Sequence, residues 1–146
     1  MTGSTHDDRQ MITKDAPSIA ALNERLWRKI RTRQAELERV RLDLQPDAET
    51  LCIAFGTSAG AMEESLQCAR TRGKRVSGAV VQSLWPIPRS SLLRAARGTR
   101  LIVVGELNPG LYAREVRCLC SEQEVVSLSR LDGQMITPEM FASACL

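Results

Sequence analysis

Leu51-Cys52-Ile53-Ala54-Phe55-Gly56-Thr57-Ser58-Ala59-Gly60 is the stretch that decides the fold of this 146-residue chain. A continuous apolar run, a glycine turn and a helical pattern that lasts to about Arg72 before Gly73 read as a strand buried on both faces that feeds a helix. The same grammar recurs downstream. Val76 to Val81, Leu101 to Val104 and Glu124 to Leu128 read as further strands. Helices are predicted from Ser90 or Ser91, as cap, to Arg97, from Leu111 to Cys120, and in a short last segment opened by Thr137-Pro138-Glu139. Strands that alternate with helices imply an α/β three-layer domain with a mainly parallel sheet of four to five strands.

Upstream of this block the pattern changes. Residues 1–15 form a polar lead-in that contains the sole histidine, His6. From Ala16 to about Leu44, apolar residues at Ile19, Leu22, Leu26, Ile30, Leu37, Val40 and Leu44 recur at helical spacing, with Asp15 and Pro17 as a start signal. One long amphipathic helix, either continuous or with a break, is therefore expected, ended by Gln45-Pro46-Asp47. The division is a lead-in and helix over 1–46 and an α/β domain over 47–146.

Composition narrows the function. The chain is 43% hydrophobic and 25% charged, with a mean hydropathy of −0.18; this is the profile of one soluble domain with a single core. The longest apolar runs fall far short of the ~20 residues that span a bilayer, and the chain opens on no signal-peptide pattern. A cytoplasmic protein without membrane contact is expected. Five cysteines form an odd set without Cys-x-x-Cys, which fits reduced thiols better than a disulfide framework. Net charge is +3. Residues 23–41 carry seven basic and three acidic side chains, so the excess sits there and the remainder of the chain is slightly acidic. A polyanion-binding segment is one reading of that cluster. The shortage of aromatic residues argues against nucleic acid, because single strands are held largely by base stacking on aromatic rings.

The residues do not assemble an active site of their own. His6 lies in the lead-in, away from any nucleophile it could activate. Cys118 and Cys120 splay to different faces of a helix and lack the further ligands of a zinc site. Catalytic and metal-binding residues are therefore expected to be none. Gly56, Thr57 and Ser58 form a weak candidate anion site, since a strand, a glycine turn and a helix N-terminus present free backbone amides. The loop has neither Gly-x-Gly-x-x-Gly nor Gly-Lys-Ser/Thr, and a tight turn with Thr57 or Ser58 as helix cap explains it equally simply. In parallel α/β sheets ligands and partners gather at the carboxyl edge of the strands. That edge should carry Gly56-Thr57-Ser58, Gln82-Ser83-Leu84 and Glu106-Leu107-Asn108.

Four ordered segments carry a more specific signal: Phe55-Gly56-Thr57-Ser58-Ala59, Leu84-Trp85-Pro86-Ile87-Pro88, Glu106-Leu107-Asn108-Pro109-Gly110-Leu111-Tyr112-Ala113-Arg114-Glu115-Val116 and Asp132-Gly133-Gln134-Met135-Ile136-Thr137-Pro138-Glu139. Together they resemble the transketolase C-terminal-like domain that ends the alpha chain of 2-oxoacid:ferredoxin oxidoreductases. The lead-in Gly3-Ser4-Thr5-His6-Asp7-Asp8 and the basic helix resemble the segment that joins this domain to the family's thiamine-pyrimidine domain. The resemblance implies oxidative decarboxylation of a 2-oxoacid to an acyl-coenzyme A, with electrons passed through iron–sulfur clusters to ferredoxin. It also implies that thiamine diphosphate, Mg2+ and the clusters sit in partner subunits or domains, so that this chain binds no cofactor and serves structure and assembly.

Two departures stand out. Family alpha chains carry the pyrimidine domain ahead of this segment and 146 residues cannot hold both, so a split subunit or an excised piece is expected. Leu107 and Leu111 replace the methionine and glutamine common in the family, which leaves substrate subtype open. Interface candidates are Trp85, Glu106, Asn108 and Arg114. Asn108 is either a turn-and-cap residue or a contact to a neighbouring subunit, and Trp85 is either a core anchor, the reading favoured, or an interface anchor. The alternative function is a repurposed α/β module that binds an anionic ligand at Gly56–Gly60.

Overall fold

A computed structural model describes residues 5–7 and 9–145; of the lead-in motif, Gly3, Ser4 and Asp8 lie outside the described residues. Two compact units divide between Leu37 and Glu38, rather than between Pro46 and Asp47. The first unit holds α1 (Ala16–Arg31) and the short α2 (Gln34–Leu37). Asp15 caps α1 as expected, accepting from the Ser18 N–H at 2.9 Å, with Pro17 in the first turn. No α1 residue is buried within the chain. His6 pairs with Ile12 in an isolated bridge, which folds the lead-in back on itself.

The single long helix expected to reach Leu44 is not formed. It stops at Arg31, where the Thr32 side chain bonds back to the Arg28 carbonyl at 2.8 Å. Residues Val40–Asp43 become strand β1 instead. Val40 and Leu42 turn inward while Arg41 and Asp43 turn outward. That period of two, over four residues, was hidden inside an apparent helical repeat.

The second unit contains β1, β2 (Thr50–Ala54), α3 (Ser58–Thr71), β3 (Val76–Val81), α4 (Arg89–Ala95), β4 (Leu101–Glu106), α5 (Leu111–Leu119), β5 (Glu124–Ser129) and α6 (Pro138–Ala144). The sheet order is β1-β3-β2-β4-β5. Only β1 is antiparallel, pairing Val40 with Val81 at the edge; β2 lies parallel between β3 and β4, and β5 is parallel to β4. The expected mainly parallel α/β sheet is thus present.

Burial on both faces explains the mostly apolar runs of β2, β3 and β4, in which every residue is buried. One face carries Leu51, Ile53, Ile102 and Val104 against α4 and α5. The other carries Cys52, Ala54 and Val103 against α3 and α6. Gly105 has no side chain because the Phe141 ring of α6, itself fully buried, occupies the space a Cβ would take. Neither Ser90 nor Ser91 caps α4: Pro88 stands at that position without a side-chain bond, and the Ser90 hydroxyl bonds the Glu38 carboxylate.

Candidate functional site: the carboxyl edge of the sheet

Because β3, β2 and β4 are parallel neighbours, the turns after them lie side by side. The helix after β2 packs on one face and the helix after β4 on the other. The carboxyl ends of β2 and β4 therefore flank a topological switch point, where open α/β sheets place their ligands. The structure brings together the three expected segments, Gly56 to Ser58, Gln82 to Leu84 and Glu106 to Asn108.

The turn after β4 is closed by its own side chains. Glu106 is fully buried, and its Oε2 accepts from the Tyr112 N–H at 2.8 Å while Oε1 accepts from the Ala113 N–H at 3.0 Å. Ser127 adds a hydroxyl bond to Oε1 at 3.3 Å. Asn108 Oδ1 takes the Leu111 N–H at 2.8 Å, and the Gly110 carbonyl takes the Arg114 N–H at 3.1 Å. All four donors at the start of α5 are thus satisfied from within, and the Glu106 carboxylate sits at the positive end of the helix dipole. Gly110 is required twice over: its φ is +83°, and a Cβ would stand 3.1 Å from Ser127 Oγ.

This corrects the expectation for Glu106 and supports one of the two readings of Asn108. Glu106 is an internal anchor and has no exposed surface to offer a partner. Asn108 forms the turn-and-cap bond that one of its two readings required. Sequence spacing alone did not show that a carboxylate at the end of a strand reaches the amides six and seven residues ahead; a buried Glu after an apolar run, with a helix start close behind, is the signal that marks it.

The turn after β2 is built differently. Gly56 has a φ of +56° and open space around its α-carbon. Thr57 occupies the cap position of α3 but makes no side-chain cap bond, so the expected hydroxyl cap is absent. Ser58 is buried in the first turn of the helix.

Around both turns the edge is apolar. Trp85 is 63% exposed, which overturns the core reading; its peptide bond to Pro86 is cis. Leu84, Leu107 and Leu111 are also exposed, the last at 54%. Beyond β5, Leu131 and Met135 continue the series. Arg114 is exposed on the first turn of α5. The β5–α6 loop is held by Arg130, which bonds Asp132 and the Met135 carbonyl at 2.9 Å. The Arg130 side chain and the Gln134 N–H pull the Asp132 carboxyl down to about 2. Tyr112 stacks edge-to-face on Phe55 at 5.4 Å, and burial pushes its phenol up. Among the described residues no group of three or more His, Cys, Asp or Glu side chains is placed to hold a metal ion. No described helix is long and apolar enough to cross a membrane.

A match to the pyruvate:ferredoxin oxidoreductase core domain II family spans residues 48–141. The chain belongs to this family. Core domain II is the alpha-chain domain of 2-oxoacid:ferredoxin oxidoreductases, in agreement with the four ordered segments. The 2-oxoglutarate synthase subunit KorA of Methanothermobacter marburgensis is 28% identical over 95% of this chain. The 2-oxoglutarate oxidoreductase subunit KorA of Mycobacterium tuberculosis is 34% identical over 60% of it, and covers only 14% of that protein's length. The chain spans 38% of the length of the Methanothermobacter relative.

Among solved structures, 2-oxoglutarate:ferredoxin oxidoreductase from Magnetococcus marinus, with 2-oxoglutarate, coenzyme A and succinyl-CoA bound, matches with a TM-score of 0.76 at 18% identity, over 94% of this chain and 24% of that one. A split-gene transketolase in an inactive beta4 tetramer matches at 0.64 and 22% identity, over 73% of this chain and 40% of that one. At these identities the two structures establish a shared fold. The core domain II of this chain therefore has transketolase-like architecture, with the switch point and apolar edge described above.

Proposed function

We propose that this core domain II acts as a non-catalytic assembly component of a 2-oxoacid:ferredoxin oxidoreductase, docking through its carboxyl edge onto subunits or domains that bind thiamine diphosphate with Mg2+ and carry iron–sulfur clusters. The observation that carries this reading is the exposure of Trp85, Leu84, Leu107 and Leu111 on one edge of a family domain. Aromatic and aliphatic anchors at the centre of an interface supply most of its binding free energy. A single-chain domain with this much apolar surface at its switch point is suited to a partner, not to water.

The chain's own residues prepare that surface. Glu106 and Asn108 fix the start of α5, which sets the position of Leu111 and Arg114. The rigid Pro86-Ile87-Pro88 segment follows Trp85 and holds it at the edge. Thiamine diphosphate, held elsewhere, would supply the decarboxylation chemistry. Because the relatives act on 2-oxoglutarate by name, that acid is the first substrate to test, with coenzyme A as acyl acceptor and ferredoxin as the indirect electron acceptor.

The test is anaerobic affinity purification of the natively expressed, tagged protein, with mass spectrometry of what stays bound and an assay of 2-oxoglutarate-dependent dye reduction. Thiamine-binding and iron–sulfur subunits should co-purify with activity. Leu107→Asp should strip them and lower recovered activity at least roughly tenfold while the Tm of the isolated chain is unchanged, as for loss of a central interface anchor. Recovery of the same partners with the Asp variant contradicts the docking assignment.

A further inference from the structure

The geometry points to Cys52 and Cys145 as a peroxide-oxidisable dithiol that closes to a reversible disulfide and ties the end of α6 to the central strand of the sheet. This goes beyond the assembly reading and does not rest on it. The two sulfurs are 3.3 Å apart, although 93 residues separate them in sequence. Disulfide formation needs an S–S distance of about 2.0 Å, so a modest approach closes the bond. Cys52 cannot supply that motion: it lies within β2, paired in register with Gly78 on one side and Val103 on the other. Cys145 can, because it is the C-cap residue of α6, beyond the last helical turn.

Access is as asymmetric as mobility. Cys52 is 1% exposed, whereas Cys145 lines a groove of about 160 Å³ between α3 and α6. Arg72 and Lys74 line the same groove. The sulfur–sulfur hydrogen bond lowers the Cys145 thiol against the burial that raises it, while that bond and burial together raise Cys52. One thiol is thus reached first and the other waits as its resolving partner.

The chemistry balances with hydrogen peroxide as oxidant. The Cys145 thiolate attacks one peroxide oxygen; an S–O bond forms, the O–O bond breaks, and the departing hydroxide takes up the proton Cys145 has released. Cys52 sulfur then attacks Cys145 sulfur; the S–S bond forms, the S–O bond breaks, and hydroxyl leaves with the Cys52 proton as a second water. Two thiols and one peroxide give a disulfide and two waters.

The experiment treats the reduced full chain with stoichiometric hydrogen peroxide, blocks free thiols with iodoacetamide and maps peptides. A Cys52–Cys145 cross-link that dithiothreitol reverses is expected, together with a rise in Tm on the order of 10 °C from closing so long a loop. Cys68→Ser, which removes the exposed thiol of the same groove, should leave the cross-link intact. Cys145→Ser should abolish both cross-link and Tm shift, its reduced Tm showing that it folds. In Cys52→Ala, Cys145 should stop as a sulfenic acid that dimedone traps. A cross-link from Cys145 to Cys68, oxidation that ends at Cys145 with Cys52 still alkylatable, or no oxidation of either thiol overturns the assignment.

Discussion

The turns that end β2 and β4 lie side by side at the switch point and begin helices of similar role, yet they are held by opposite means. After β4, Glu106 and Asn108 saturate the first turn of α5 and bury a carboxylate to do so. After β2, Gly56 bends the chain and no Thr57 side-chain bond follows. One turn is fastened by side-chain hydrogen bonds that cannot be removed cheaply; the other rests on its backbone, with the Ala59 N–H donating to the Gly56 carbonyl at 3.3 Å and no side-chain cap. A rigid mount beside a lightly held neighbour suits an edge where one side presents fixed anchors.

Breaking the fastened turn should have the largest effect. Glu106→Ala leaves two buried amides and the Ser127 hydroxyl without their acceptor, and should cost about 3 kcal/mol or more in urea unfolding. Glu106→Gln should recover part of that, because the amide oxygen still accepts one bond. A loss under 1 kcal/mol for the alanine variant would mean that the carboxylate is not the anchor. Gly56→Ala should cost about 1 kcal/mol through its left-handed backbone, and Asn108→Ala about 1 kcal/mol through its cap bond. Thr57→Ala should change stability by only a few tenths of a kcal/mol, since its hydroxyl caps nothing; a full cap's loss there would erase the contrast between the turns.

The β5–α6 loop gives a pH handle. Asp132, held by Arg130 and the Gln134 N–H, titrates at about 2, below its unfolded value. A depressed folded-state value means that its contribution is complete above the unfolded value near 4 and is lost as pH falls through 4 towards 2. NMR titration of the Asp132 carboxyl should place the midpoint near 2, and Arg130→Ala should return it towards 4.

Most of the architecture was legible in the sequence because β2, β3 and β4 are buried on both faces and therefore read as mostly apolar runs separated by helical patterns. Val40–Asp43 was not legible, because Val40 also falls three after Leu37 and four before Leu44, a helical repeat that outweighs the single alternation from Val40 to Leu42. The site divided along similar lines. Asn108 could be read as a cap from its place before Pro109 and Gly110. Glu106 could not be read as internal, since a charge at a loop start is ordinarily solvated and only the three-dimensional path of α5 brings its amides back. Trp85 misled in the other direction: large aromatics are more often core than edge, and nothing local in Leu84-Trp85-Pro86 reveals that the side chain stays 63% exposed.

Hydrogen–deuterium exchange on the natively purified assembly, compared with the isolated chain, tests the docking edge most directly. Protection confined to 83–86 and 107–111 on assembly, with the β1 edge unchanged, is the expected result. Equal exchange at those two segments in chain and assembly would contradict the assignment of the carboxyl edge as the docking face.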